Sequence, residues 1–350
     1  MVDLEPHSTA SALTPLKLGF VPLTDCAPLI VAKEKGLFDR YDLPVTLSQE
    51  PGWATIRDKL CFRELDAAMS PLALVFALNL GEGCVRSRAQ IPLVLSANGN
   101  AITLTRDITP EQVQSKTFAQ DLIAHAKTKD RLPTFAAVHP WSSHNVILQS
   151  WLAHRGLQGE GKVEILTLPP SVMVRNLASG AIDGFCVGEP WNTAAIAQGA
   201  GWCPSVSARE VPHHTEKVLA VNESFIASSP AQVVRLTAAL LEAGEFCQEP
   251  ENRDELVSLL AEEKYLGADP EIIRNALGTT FNTGHSTLDV PDFHIFHNPK
   301  VNRPTTDKAN WITTGLRAVD VMKHKRLPTL SNIMREDLYD EALELKKNVS

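Results

Sequence analysis

The sequence predicts an α/β protein made of two blocks of alternating strands and helices, followed by a helical tail. Three observations carry this. Short apolar runs alternate with helical patterns at βαβ spacing from Leu16 to Ala97. The alternation restarts after Asn98 and Gly99 and continues to Val221. Beyond Pro230, helical patterns dominate.

In the first block, Leu16–Pro22 (LKLGFVP) reads as a strand. Ala27–Lys35 reads as a helix, with Pro28 suited to its first turn and Gly36 to its C-terminal stop. Pro44–Leu47 is a second strand, Trp53–Leu60 a helix and Asp66–Ser70 a third strand. Pro71 opens a helix to Leu80, and Ile91–Ala97 is a buried strand. In the second block, Thr134–Val138, Val163–Thr167 and Gly184–Val187 read as strands. Ala119–Lys127, Asn145–His154 and Pro190–Gln198 read as helices, and a strand-like run returns at Lys217–Val221. The tail carries helical patterns over Ala231–Phe246, Arg253–Leu260, Pro270–Leu277 and Ala309–Val321. Between them, Asn282–Arg303 is rich in turn residues and reads as a long loop or short strands. Such alternation implies mostly parallel sheets with helices on both faces. Two domains in series fit this pattern, and so do two lobes with the chain crossing back so that the tail completes the first.

The 350 residues are 44% hydrophobic and 21% charged, which excludes a disordered chain or a coiled coil. Lys and Arg number 33 against 41 Asp and Glu, a net charge of −8, which argues against a protein that coats nucleic acid. One local positive site is still enough to hold a small anion. No apolar run reaches the roughly 18 residues of a membrane-spanning helix. Residues 1–15 lack a basic n-region and an apolar h-region, so they read as a flexible segment and the chain as cytoplasmic. The six cysteines form no CxxC pair and show no zinc spacing, and are expected to be reduced small hydrophobes.

In open α/β sheets, ligands bind beyond the carboxyl ends of the strands. Gly52-Trp53 opens a helix after the second strand, which puts free backbone N–H groups beside an indole N–H. Asn100 follows the strand ending at Ala97 and carries a short amide. His144 lies in the first turn of a helix that Ser142 or Ser143 would cap. Gly188 allows close backbone approach before Pro190 and Trp191. In His213-His214-Thr215-Glu216-Lys217, the lysine is a candidate fixed charge. Neighbouring side chains on an extended chain point oppositely, so the two histidines make a poor metal chelate. Dinucleotide, phosphate-loop, nucleophile-elbow and zinc-protease motifs are absent. Cys186 beside His144 could be taken for a nucleophile and base, but inside an apolar strand it reads as a structural thiol.

Gly19–Phe38 (GFVPLTDCAPLIVAKEKGLF), Glu50–Leu60 (EPGWATIRDKL), Ser96–Asn100 (SANGN), Ser143–Leu152 (SHNVILQSWL) and Phe185–Asn192 (FCVGEPWN) together resemble the nitrate- and bicarbonate-binding proteins of bacterial ABC importers. The resemblance implies a two-lobed, hinged periplasmic-binding-protein-like fold (type II) with the ligand in the cleft between lobes. It implies lobe I over residues 16–103 plus 221–350, lobe II over 104–220, and nitrate contacts from Trp53, Asn100, His144, Gly188 and Lys217. Asn100 stands where the family carries a Gln, one methylene longer. That set reads as donors and one positive charge with no acceptor, which suits nitrate or nitrite better than bicarbonate. Lys217→Ala is expected to remove anion binding and leave the fold intact. No cofactor, metal, membrane contact or direct nucleic-acid contact is implied, nor is an enzyme. Without ATPase motifs and without a signal, the chain resembles the cytoplasmic nitrate/nitrite sensors of the family. The partner that implies is an ANTAR-type response regulator, an RNA-binding antiterminator (NasT-like). A substrate-binding receptor of a nitrate importer is the alternative.

Overall fold

A computed structural model describes residues 15–349 of the chain. Most strands form on short, largely apolar runs, and they assemble into two main sheets and a small ribbon. The first sheet contains β1 (Leu16–Phe20), β2 (Val45–Gln49), β3 (Ala67–Pro71) and β4 (Ala89–Asn98). The second contains β5 (Asn100–Thr105), β6 (Thr134–Ala137), β7 (Glu164–Thr167), β8 (Gly184–Gly188) and β9 (Gly201–Val206). The chain then returns through β10 (Thr215–Asn222). It adds a small ribbon, β11 (Thr280–Asn282) with β12 (Thr287–Asp289), and ends its strands with β13 (His294–Ile295). Strand order is β13-β4-β10-β3-β1-β2 in the first sheet and β7-β6-β8-β5-β9 in the second.

This is the two-lobed arrangement, with the tail completing the first lobe. β13 pairs with β4, and an isolated bridge joins Ile91 to Met334. The helix Pro230–Gln248 packs on Ala27–Glu34 and on Glu336–Val349. The helix Lys308–Ala318 touches both lobes, lying against Leu72–Leu80 and Ser143–His154. Its Gly315 comes so close that an added Cβ would stand 2.3 Å from Val146 Cγ1. One continuous apolar cluster joins Leu18, Val94 and Leu219 of lobe I to Val138, Phe185 and Val187 of lobe II. Burial of that scale is the main source of stability in a chain of this size.

Two sequence expectations change. The sheets are mixed rather than mostly parallel: β1 pairs parallel with β2 and β3, whereas β10 runs antiparallel to β3 and β4. In lobe II, β6 pairs parallel with β7 and β8, whereas β5 runs antiparallel to β8 and β9. The antiparallel strands are the ones that carry the chain from lobe to lobe. The lobe boundaries also move. Asn100–Thr105 belongs to the second sheet, so the first crossing is at Gly99 rather than after residue 103. Thr215–Asn222 belongs to the first sheet, so the return precedes Thr215 rather than residue 221. Apart from Pro15, the N-terminal segment read as flexible lies outside the described residues.

Asn98 and Gly99 adopt left-handed backbone (φ 63° and 82°), and this turns the chain from one sheet into the other without a loop. The two crossings touch where Asn98 N–H donates to His214 O at 3.1 Å. Gly99 O accepts from Glu189 N at 3.2 Å. A Cβ on Gly99 would stand 2.4 Å from Cε1 of His294. Gly99→Ala is therefore expected to lose about 1–3 kcal/mol through strained backbone and displaced imidazole. Urea denaturation reads this as a lower midpoint, and an unchanged midpoint would contradict the crossing geometry.

Candidate functional site

β10 carries the centre of the site. On a regular strand Glu216 and Lys217 would face opposite sides of the sheet. The ladder between β10 and β4 slips at Thr215–Lys217 and again at Lys217–Val218, and this irregularity brings both side chains together. Lys217 Nζ lies 2.6 Å from Glu216 Oε1 and 3.0 Å from Asp25 Oδ2. Asp25 sits on the short 3₁₀ turn Thr24–Cys26 after β1, and Ser96 Oγ donates to its Oδ1 at 2.6 Å. All three side chains in this ion-pair triad have 0% of their surface exposed.

Lobe II closes over the triad. Ser142 caps the helix Ser143–His154, accepting from Asn145 N at 3.2 Å, which places Ser143 and His144 in the first turn. Ser143 Oγ donates to Glu216 Oε2. Asn100, the first residue of β5, donates from Nδ2 to the same oxygen at 2.7 Å. His214 Nε2 lies 3.2 Å from it, while His214 Nδ1 lies 2.9 Å from Val211 O. Glu216 is thus a lobe I side chain held by two lobe II donors.

The structure brings all five sequence-derived residues to this place. Trp53 opens the helix Trp53–Cys61 and lays its ring under Lys217, 5.4 Å from Nζ to the centroid. Its indole N–H has no hydrogen-bond partner among the described residues. His144 Nε2 lies 3.5 Å from Glu216 Oε1, and neither ring nitrogen is hydrogen-bonded among the described residues. Gly188 ends β8, where an added Cβ would stand 3.2 Å from Asp25 Oδ2 and 3.4 Å from Asn100 Oδ1. The Asn100 amide N–H is already committed to Glu216, so that residue orients the carboxylate and turns only Oδ1 away from it. Flipping the amide would set oxygen against oxygen.

The donor-only description needs correcting: Asp25 and Glu216 are acceptors in direct contact with Lys217. Burial alone would push the Lys217 ammonium down. Asp25 and Glu216 outweigh it, and the group sits above its ordinary value. Burial likewise pushes the Glu216 carboxyl up, but Lys217 and the neighbouring imidazoles hold it well below the usual carboxylate range. Burial drives His144 down to about 4, so the ring is neutral at pH 7. Glu189, beside Gly188, is fully buried and pushed up to about 7. The Cys186 thiol is buried and pushed far above its usual value, which removes it as a nucleophile at neutral pH. His213 is exposed and faces Asp292 while His214 points inward, and no metal-holding cluster occurs among the described residues.

Sequence reasoning missed Asp25, Ser96, Ser143 as a donor, His214 and Glu216. Asp25 had a visible signal, a carboxylate within an apolar run at the first strand's end. Glu216 had none, because the strand irregularity depends on pairing with β4.

The triad also changes what Lys217→Ala should do. Removing the ammonium leaves buried carboxylates facing each other, at a cost of about 3–5 kcal/mol. Because the native Glu216 value is depressed, its stabilising contribution is present above the ordinary carboxylate value near 4 and lost as pH falls below it. The stability gap between wild type and variant is therefore expected to be wide at pH 7 and to narrow on acidification. Denaturation at pH 7 and pH 3 measures it, and equal stability at pH 7 would show that the carboxylates do not depend on Lys217.

With this geometry in hand, known proteins can be compared. The nitrate import ATP-binding protein NrtC of Synechocystis sp. is 37% identical over 93% of this chain and 49% of its own length. The bicarbonate transport ATP-binding protein CmpC of Synechococcus elongatus is 36% identical over 86% of the chain and 44% of its own length. The chain thus spans about half the length of these relatives. The crystal structure of the periplasmic nitrate-binding protein NrtA from Synechocystis superposes with a TM-score of 0.88 at 26% identity. That match covers 95% of this chain and 89% of the other, so the fold is periplasmic-binding-protein-like. The NMT1-like family model matches residues 9–261, and the chain belongs to that family.

Proposed function

We propose that this chain is an anion receptor that holds nitrate or nitrite between its lobes. The observation that carries the reading is a buried ammonium flanked by two groups without partners among the described residues: the Trp53 ring, 5.4 Å from Lys217 Nζ with its indole N–H unpaired, and the His144 ring beside Glu216. Nitrate is a monoanion without a proton, and it is recognised by N–H donors and positive charge. The names of NrtC and NrtA support the same ligand class. Those names are of import and binding proteins, which supports a binding role rather than catalysis.

The import setting is the first reading, because the relatives carry it in their names. A cytoplasmic sensor that releases an ANTAR-type antiterminator when nitrate arrives is the other setting, and its support is the sequence resemblance alone. Co-purification from the native cell separates them: a membrane permease retained in either condition marks the receptor. An RNA-binding regulator lost on adding nitrate marks the sensor. A second ligand reading, bicarbonate, is favoured by the two carboxylate acceptors, since bicarbonate has an O–H to donate.

Calorimetry tests the ligand. Nitrate and nitrite are expected to bind one site per chain. Four heavy atoms at a ceiling of about −1.5 kcal/mol each give about −6 kcal/mol, or tens of micromolar, and full charge pairing tightens this. Trp53→Phe keeps the ring and removes the N–H. It should weaken nitrate about ten- to a hundredfold, the range of one hydrogen bond to a charged group. Saturable heat with bicarbonate and none with nitrate or nitrite would move the protein to the second ligand.

A further inference from the structure

We propose that Glu216 competes internally for Lys217, so that a monoanion enters the cleft together with one proton, which is taken up by the His144–Glu216 pair. This rests on the reading of the cleft as an anion site, and it assigns the residue that sets the pH range and the selectivity of that site.

On β10, Lys217 contacts Glu216 and the Asp25 carboxylate of the turn after β1. His214 turns Nδ1 toward Val211 O and Nε2 toward Glu216. One ammonium against two carboxylates leaves no positive charge over for an incoming anion. The other ionisable groups packed around the cluster supply none. His144 on the helix Ser143–His154 is neutral at pH 7, as is His294 on β13, which faces Thr24 Oγ1. Glu189, after β8, is a further carboxyl near Asp25, and Cys186 on β8 is a thiol.

Displacement of Glu216 would free Lys217, but the side chain is pinned. Its Oε2 is held by Ser143 Oγ, Asn100 Nδ2 and His214 Nε2, from both lobes. Neutralisation in place is the remaining route. His144 is built for it: it is fully buried, its ring nitrogens lack partners among the described residues, and Nε2 stands 3.5 Å from Glu216 Oε1. A proton shared by this pair turns one imidazole nitrogen toward Glu216 and leaves the other N–H for the anion. Lys217 is then released from half of its internal pairing. The affinity of a site that takes up a proton falls as pH rises, by up to tenfold per unit.

The test is nitrate calorimetry on the full chain at pH 7.5 in buffers of different ionisation enthalpy, which counts protons, with affinities from pH 6 to 8.5. The expected result is close to one proton taken up per nitrate and an affinity that weakens severalfold to tenfold per unit of rising pH. In Glu216→Gln, uptake should fall toward zero, and nitrate should bind at least tenfold tighter than wild type at pH 8. Nitrate binding with no proton uptake and a flat pH profile overturns this inference and leaves the anion reading standing. Uptake that persists in Glu216→Gln, or vanishes in Glu189→Gln instead, overturns the assignment to Glu216. The wild-type proton count decides the coupling even if a variant does not fold. No nitrate or nitrite binding at any pH overturns the anion reading and this inference with it.

Discussion

The structure depends on one constraint: an ammonium group sealed from water must be matched by charge within the same small volume. Lys217 meets it with Asp25 and Glu216, and each carboxylate brings requirements of its own. Asp25 takes the Ser96 hydroxyl from β4. Glu216 takes donors from β5 and from the helix Ser143–His154. Leaving any of these groups unpaired in a low-dielectric interior costs several kcal/mol. The triad therefore dictates how the second sheet sits on the first, and the closed arrangement of the lobes is partly an electrostatic requirement.

The covalent connections fit that requirement. The chain passes between sheets at Gly99 and again ahead of Thr215, and the two passages hydrogen-bond to each other through Asn98 and His214. His214 also faces Glu216, so the crossing and the charged cluster share a residue. Thr24, next to Asp25, donates its N–H to Glu189 O across the cleft at 2.8 Å. A change in the charge of the cluster is thereby applied at the point where the lobes are joined.

Much of this was legible in the sequence, and the reasons for the gaps are physical. The strands around Leu18, Val94 and Val187 announce themselves because they are mostly apolar and almost entirely buried. β5 was hidden because Asn98-Gly99-Asn100 reads as a turn, whereas only its first two residues turn and Asn100 is already extended. β9 was hidden by Pro204, which argues against a strand in general but is tolerated on an edge, and β9 is an edge. The clustering of Trp53, His144, Gly188 and Lys217 was legible because helix starts and the ends of strands are local signals. Glu216 was lost because period-two alternation is also a local rule, and the irregularity between β10 and β4 overrides it through tertiary pairing.

Under the proposed anion reading, the same residue carries the chemistry that would separate one planar oxyanion from another. An ionised Glu216 can only accept, which suits the O–H of bicarbonate but leaves that anion's charge unbalanced beside two carboxylates. A protonated His144–Glu216 pair supplies a donor and cancels one negative charge together, which suits nitrate on both counts. Trp53, whose ring nitrogen can only donate, adds to the preference for an anion without a proton. In that reading Asn100 acts indirectly, by fixing Glu216 through its amide N–H. On the proposed reading, selectivity in this cleft is a matter of where one proton resides, and the residues that hold Glu216 in place are as much a part of it as those proposed to face the anion.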